Sequence, residues 1–146
     1  MFESFTFDIE MAVVDLVRVL IAFLLAFPIA WERGKSARNI GLRTFPIVAI
    51  ASCGFFLVAK HAPDASAETL ARVIQGIMTG IGFIGGGAIL KQGGNVKGLA
   101  TAASIWNTGA IGLAVAYERE EIAVVLSLIN FVLLRLLSPI VEEQDQ

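Results

Sequence analysis

Residues 74–106 read IQGIMTGIGFIGGGAILKQGGNVKGLATAASIW: an apolar, glycine-rich segment, a short polar middle and a second apolar segment. The part from Gly76 to Gly98 holds nine of the fourteen glycines of the 146-residue chain. Glycine within a transmembrane helix lets another helix approach closely, or lets the helix unwind around a polar group. The stretch therefore predicts a hairpin of two membrane helices, and it is the first place to look for function.

The composition predicts an integral membrane protein, because 56% of the residues are hydrophobic, 16% are charged and the mean hydropathy is +0.76. The net charge of -2, without a basic face, argues against a nucleic-acid partner. No cofactor is predicted, because the single cysteine, Cys53, and the single histidine, His61, provide no metal-ligand spacing. We expect Cys53 to be a buried, inert thiol and His61 to be a solvated loop residue.

Five apolar segments can each cross a hydrocarbon core of about 30 Å, which takes roughly 20 helical residues. They cover residues 12–31, 44–59, 73–90, 99–117 and 122–140. Helices are expected because backbone polar groups in lipid must be satisfied within the segment, and the alternating pattern of a barrel strand is missing. The sequence predicts an all-α, polytopic membrane protein with about five transmembrane helices. It forms a single domain over residues 1–146, with short polar tails at 1–11 and 141–146.

The loop charges predict the orientation of the chain. The first loop carries Arg33, Lys35, Arg38 and Arg43, whereas the N-terminal tail carries neither lysine nor arginine. Basic loops remain on the cytoplasmic side of a membrane. The N terminus is therefore expected outside and, after five spans, the C terminus inside.

Two charged residues lie within the first predicted helix. Asp15 and Arg18 are three residues apart, on one helical face, where they can pair with each other or point together into the bundle. Both are near the outer end of the helix, so Arg18 could also extend to the headgroups. Arg135, near the inner end of the fifth helix, is expected to extend to the cytoplasmic surface in the same way.

The first loop is a candidate interaction surface. Glu32 and Arg33 follow an interfacial tryptophan, Arg43 precedes the second helix, and Thr44 is expected to be its N-cap. An ordinary charged loop has this composition. A cluster of basic residues beside two glycines would also suit an anionic lipid or an acidic partner at the inner surface.

The glycines of the third predicted helix fit two interpretations. Two small-xxx-small patterns, Gly76 with Gly80 and Gly82 with Gly86, allow close approach between helices. The triplet Gly85-Gly86-Gly87 is costly in a helix and indicates either a break or close approach on more than one side. The string GIGFIG from Gly80 matches a dinucleotide-binding fingerprint, but it lacks the strand that must precede one.

The polar middle and the fourth predicted helix carry the remaining candidate residues. Residues 91–98 are expected to form a tight polar turn, with Asn95 in a left-handed or capping position. Thr101, Ser104 and Thr108 share one helical face. Their hydroxyls can bond to the preceding turn or a neighbouring helix, or, facing a broken glycine helix, they can coordinate a small ion.

Two blocks resemble the MgtC/SapB family of bacterial inner-membrane proteins: ERGKSARNIGLRT at residues 32–44 and GIGFIGGGAILKQGGNVKGLATAASIW at residues 80–106. The resemblance extends over about residues 18–136. By position, it implicates Arg18, Glu32, Arg33, Gly41, Arg43, Thr44, Gly80, Gly82, Gly85, Gly87, Asn95, Gly98, Thr101 and Trp106.

The resemblance implies location in the bacterial inner membrane and a link to adaptation to low magnesium. It also implies a protein partner, with the rotary ATP synthase as a candidate. The sequence departs from the family pattern at Pro28, Phe45 and Ala100. We expect a short form without the C-terminal soluble domain of the longer members.

Two functions compete. In the first, the chain is a non-enzymatic regulatory protein whose glycine faces pack against a partner or a second copy, and a homo-oligomer, most simply a dimer, is expected. In the second, the chain belongs to a transporter of magnesium, another small cation or a solute, and the third and fourth helices break near Gly85 to Gly87 to expose carbonyl groups. The first is favoured because bare carbonyls suit strongly hydrated magnesium poorly. The sequence contains no arrangement of residues typical of a nucleophilic enzyme.

Overall fold

The computed structural model describes residues 8–35, 41–92 and 95–144, with side chains described up to residue 137 except at 92 and 95. Five helices and one β-hairpin make up this part of the chain. They are α1 (Ile9–Gly34), α2 (Gly41–Lys60), α3 (Ala67–Gly87), β1 (Leu90–Gln92), β2 (Asn95–Lys97), α4 (Leu99–Ala116) and α5 (Glu120–Gln144).

Local side chains fix where the helices begin. Asp8 caps α1 by accepting a hydrogen bond from the Met11 amide at 3.1 Å, and Ser66 caps α3 through the Thr69 amide at 3.1 Å. The predicted N-cap at Thr44 is wrong, because α2 begins at Gly41 and Thr44 lies within its first turn.

The core lies along α2 and α4, which pack on each other and on α1. Phe45 and Phe56 on α2 and Ile105 and Ile111 on α4 are almost completely buried. The two helices approach closely at Gly112, where a Cβ atom would lie 2.1 Å from the carbonyl oxygen of Ala49. Cys53 is fully buried in this core, as expected.

The connection between α3 and α4 differs from the expected polar turn. The third helix ends at Gly87 rather than at residue 90, and β1 and β2 form an antiparallel ladder that pairs Leu90 with Lys97 and Lys91 with Val96. Short segments on both sides of a Gly-Gly pair are the usual signal of a β-hairpin. The all-α prediction therefore holds for the bundle and is wrong for this short hairpin.

Three helices in the described part of the chain, α1, α2 and α4, are long and apolar enough to cross a membrane. The helices α3 and α5 contain 21 and 25 residues and pack against this central group. At a rise of 1.5 Å per residue, α3 is about 30 Å long. The chain is thus an α-helical membrane protein, while the count of five spans and the orientation remain predictions.

Candidate functional site

Most of the predicted site residues lie at one end of the bundle, which we call the basic end. Here α1 ends, α2 begins, the β-hairpin connects α3 to α4, and α5 brings Arg135. We call the opposite end, formed by the α2–α3 and α4–α5 connections, the Glu118 end.

Arg33 joins two helices at the basic end. From the last turn of α1, its guanidinium donates a hydrogen bond to the hydroxyl of Thr101 in the first turn of α4, and the contact is partly buried. Two residues that the sequence implicated separately therefore form one interaction. Thr101 is a hydrogen-bond acceptor that holds α1 against α4.

Glu32 connects α1 to α5. Its carboxylate accepts a hydrogen bond from Lys35 at 2.9 Å and lies 3.9 Å from the guanidinium of Arg135. The Glu32 side chain is 18% exposed, whereas those of Lys35 and Arg135 are more than half exposed. Arg135 is thus exposed and also pairs with a carboxylate of another helix.

Three glycines at the basic end lie where the chain packs closely or turns sharply. A Cβ atom on Gly41 would lie 2.9 Å from the carbonyl oxygen of Ala30, and one on Gly85 would lie 3.2 Å from that of Ala102. Gly98 has a φ of +91°, which favours glycine, and it begins α4 directly after the hairpin. These glycines hold backbone segments together.

At the other glycines implicated in α3, an added side chain would find open space. A Cβ atom on Gly80, Gly82, Gly86 or Gly87 would meet no atom within 4 Å. The helix runs without interruption through the triplet, and the amides of Ala88 and Ile89 bond to the carbonyls of Gly85 and Gly86 at 3.0 and 3.2 Å. The triplet therefore ends a helix and does not break one.

The remaining predicted residues are spread over the basic half of the molecule. Arg43 is exposed, Thr44 is half-buried, and Trp106 is 46% exposed on α4. Asn95 lies in β2 and pairs with Gln92, so the prediction of a left-handed backbone there is wrong; its side chain lies outside the described residues.

The hydroxyls of α4 are used for packing. Ser104 donates a hydrogen bond to the side-chain oxygen of Asn130 on α5 at 3.1 Å, and Thr108 donates to the carbonyl of Ser104 at 2.7 Å. Asn107 donates to the carbonyl of Leu126 at 3.3 Å. Of the two interpretations of this polar face, the structure supports hydrogen bonds within and between helices.

A second charged cluster holds the Glu118 end together. Arg18 and Lys60 both donate to the carboxylate of Glu118, Lys60 at 2.7 Å, and Asp15 lies 3.5 Å from Nδ1 of His61. Asp15 and Arg18 therefore each contact a distant residue, and His61 lies exposed in the turn after α2, as predicted, where it also contacts Asp15. The hydrogen bond from Lys60, then its charge and that of Arg18, lower the pKa of Glu118 below its usual value.

Lys60 and Glu118 of this cluster were not among the residues predicted from the sequence. The sequence did contain a signal for this pair, because an arginine within an apolar helix often pairs with a carboxylate, and Glu118 lies in the acidic connection before α5. Among the described residues, no group of three or more histidine, cysteine, aspartate or glutamate side chains is placed to hold a metal ion.

These features define a small helical membrane protein whose bundle is held at both ends by interactions between charged and polar side chains. Within this class of membrane protein, the family can be identified, because residues 19–143 match the MgtC family. The chain belongs to this family.

Curated relatives share this membrane region. An uncharacterized protein of Synechocystis is 42% identical over 98 residues, covering 67% of this chain and 41% of the relative. The putative magnesium transporter YhiD of Escherichia coli K12 is 31% identical over 125 residues, covering 82% of this chain and 58% of the relative. Protein MgtC of Brucella abortus is 37% identical over 121 residues, covering 83% of this chain and 50% of the relative.

The chain spans about half the length of the curated relatives that it matches. No solved structure matches it significantly.

Proposed function

We propose that the chain is a non-enzymatic MgtC-type protein of the bacterial inner membrane that supports adaptation to low magnesium by binding a protein partner. The proposal rests on the structure of α3 and α4, the two helices of the glycine-rich segment. Its helix α3 is continuous, and the polar side chains of α4 bond within the bundle. The α3–α4 pair therefore has the features of helices that pack against protein, which suits binding to a partner.

The basic end is the proposed surface for the partner. Lys35, Arg43, Lys91, Lys97 and Arg135 are exposed there, and Glu32 is a partly buried acidic residue among them. Such a surface is complementary to an acidic protein surface at the inner face of the membrane. The rotary ATP synthase, which the family resemblance implies, is the first candidate.

A charge-reversal experiment tests this surface. Arg43→Glu combined with Lys97→Glu is introduced into a bacterial host that depends on the protein for growth at low magnesium. We expect growth to be lost while the amount of protein in the membrane stays normal. Arg119→Glu, at the Glu118 end, is the matched control and is expected to support growth. Equal growth of both variants would remove the basic end as the partner surface.

Magnesium transport is the second candidate, because the E. coli relative YhiD is named a putative magnesium transporter. On this alternative, the open glycines of α3 line a pathway, and Gly86→Leu blocks it. Magnesium flux into liposomes that contain the purified protein distinguishes the two candidates.

A further inference from the structure

Five ionisable side chains from three parts of the chain lie together at the Glu118 end. They are Asp15 and Arg18 on α1, Lys60 and His61 where α2 ends, and Glu118 in the turn between α4 and α5. Two cationic and two anionic side chains balance each other while His61 is neutral. Protonation of His61 therefore adds one positive charge to a balanced cluster.

The backbone at Glu118 indicates why a glutamate is present there. Among the described residues, it is the one non-glycine residue with a positive φ, at +60°. Its amide donates to the carbonyl of Val115 at 3.1 Å, and the next amide donates to that of Ala114 at 2.9 Å, the pattern of a Schellman motif. Glycine is the usual residue at this position, because a side chain is strained in left-handed backbone. The contribution of Glu118 to the fold therefore lies in its carboxylate, which accepts hydrogen bonds from both α1 and α2.

Arg18 has a second carboxylate within reach. Asp15 lies three residues before it on the same face of α1, a spacing that allows an ion pair. In the structure Arg18 binds Glu118 instead, and Oδ2 of Asp15 lies 3.5 Å from Nδ1 of His61, longer than a normal hydrogen bond. The other oxygen of Asp15 is buried and has no hydrogen-bond partner among the described residues. Asp15 thus keeps spare acceptor capacity between two basic side chains.

His61 is the group that changes charge near neutral pH. Histidine ordinarily does so between pH 5 and 8, and the chain contains one histidine, which is exposed to solvent. The hydrogen bond from Lys60 lowers the pKa of Glu118, so this carboxylate stays ionised over that range. The next charged residue in the turn, Arg119, pairs with Glu121.

Protonation of His61 affects the bond between Arg18 and Glu118 through Asp15. A protonated imidazole donates a charge-assisted hydrogen bond to a carboxylate, which is shorter and stronger than a neutral one. Asp15 then attracts Arg18 less, and Arg18 stays on Glu118. When His61 is neutral, Asp15 is the uncompensated carboxylate nearest to Arg18 along α1 and competes for it.

We infer that the Glu118 end is a pH-sensitive switch, in which protonated His61 engages Asp15 and thereby keeps Arg18 on Glu118. Mild acid tightens the contact of α1 with α2 and with the turn before α5, and this stabilisation is lost as the pH rises. The switch lies at the opposite end of the bundle from the proposed partner surface. It goes beyond the proposed function and does not depend on it.

Stability at two pH values tests the switch. The protein is purified through a histidine-free tag, and its unfolding constant in SDS is measured at pH 5.5 and pH 8.0 by circular dichroism. The wild type is expected to unfold about threefold less readily at pH 5.5. His61→Gln and Asp15→Asn are expected to abolish this difference. Glu68→Gln, which removes an exposed carboxylate of α3, is the matched control and is expected to retain it. A wild type without the difference, or a difference retained by His61→Gln, would overturn the switch.

Glu118→Gln tests the coupling to Arg18. A contact between His61 and Asp15 that acts alone would leave the difference between pH 5.5 and pH 8.0 unchanged in this variant. The switch predicts that most of the difference is lost, although Glu118 itself does not titrate in this range. An unchanged difference would therefore contradict the coupling.

A distance measurement in liposomes tests the movement. Spin labels are attached at Val13→Cys on α1 and Val125→Cys on α5, both about half exposed, in a Cys53→Ala background. The distribution of distances between the labels is expected to be narrower at pH 5.5 than at pH 8.0, and to be independent of pH after His61→Gln. The same distribution at both pH values without that substitution would overturn the proposal. Purified protein is used throughout, so the result is separate from growth at low magnesium, which tests the partner surface.

Discussion

Close packing of α2 against α4 predicts that Gly112→Ala is strongly destabilising. The added Cβ atom would lie 2.1 Å from the carbonyl oxygen of Ala49, whereas ordinary contact begins at 3.4 Å. The helices would have to separate by more than 1 Å, because the obstructing atom belongs to a backbone and cannot rotate away.

The expected magnitude follows from two opposing effects. Overpacking of this kind costs about 3 kcal/mol at the upper end of its usual range. Replacement of glycine by alanine within a helix stabilises the helix by about 1 kcal/mol. We therefore expect Gly112→Ala to lower the free energy of unfolding by about 2 kcal/mol.

Gly54→Ala is the matched control, because its Cβ atom would meet nothing within 4 Å. It should be neutral or stabilising by up to about 1 kcal/mol, since only the helix propensity changes. Unfolding of both purified variants by SDS titration, followed by circular dichroism, measures the difference. A Gly112→Ala variant as stable as Gly54→Ala would refute the packing of α2 on α4 described above.

Three further predictions concern the charged ends and the orientation. Because the pKa of Glu118 is lowered, its ion pairs stabilise the fold at a pH above the usual pKa of 4.5, and this stabilisation is lost as the pH falls through the lowered pKa. The melting temperature of the Glu118→Gln variant should therefore decline less than that of the wild type below about pH 4.5. Thr101→Val, which removes the hydroxyl that accepts a hydrogen bond from Arg33, should cost roughly 1–2 kcal/mol in SDS unfolding, and an unchanged value would exclude this bond as a link between α1 and α4. In a cysteine-free background, Lys91→Cys should react with an impermeant thiol reagent only from the cytoplasm and Ala65→Cys only from outside; the reverse pattern would invert the orientation.

The sequence predicted the helices and the family because these depend on long segments and on a specific block of residues. The apolar segments place all five helices, and residues 80–106 carry the family signature. Interactions between distant residues were not predictable in the same way. Arg18 pairs with Glu118, 100 residues further along the chain, and Asp15 contacts His61, 46 residues further along. No local sequence pattern predicts contacts over such separations.

Local errors arose where two signals compete. Thr44 is a good capping residue, but packing of Gly41 on the end of α1 begins the helix one turn earlier. The glycine triplet could signal a break or a close contact, and only the structure distinguishes Gly85, which packs against Ala102, from Gly86 and Gly87, which are open. Glycine content alone thus could not separate packing inside the chain from packing against another molecule.

The central claim is that this MgtC-family protein acts through a partner and does not carry magnesium itself. The most direct measurement is magnesium influx into liposomes containing the purified protein, recorded with an enclosed fluorescent magnesium indicator, with and without a membrane potential. The claim predicts the same influx as in protein-free liposomes. Influx well above that level, abolished by Gly86→Leu and retained by Gly54→Leu, would contradict it.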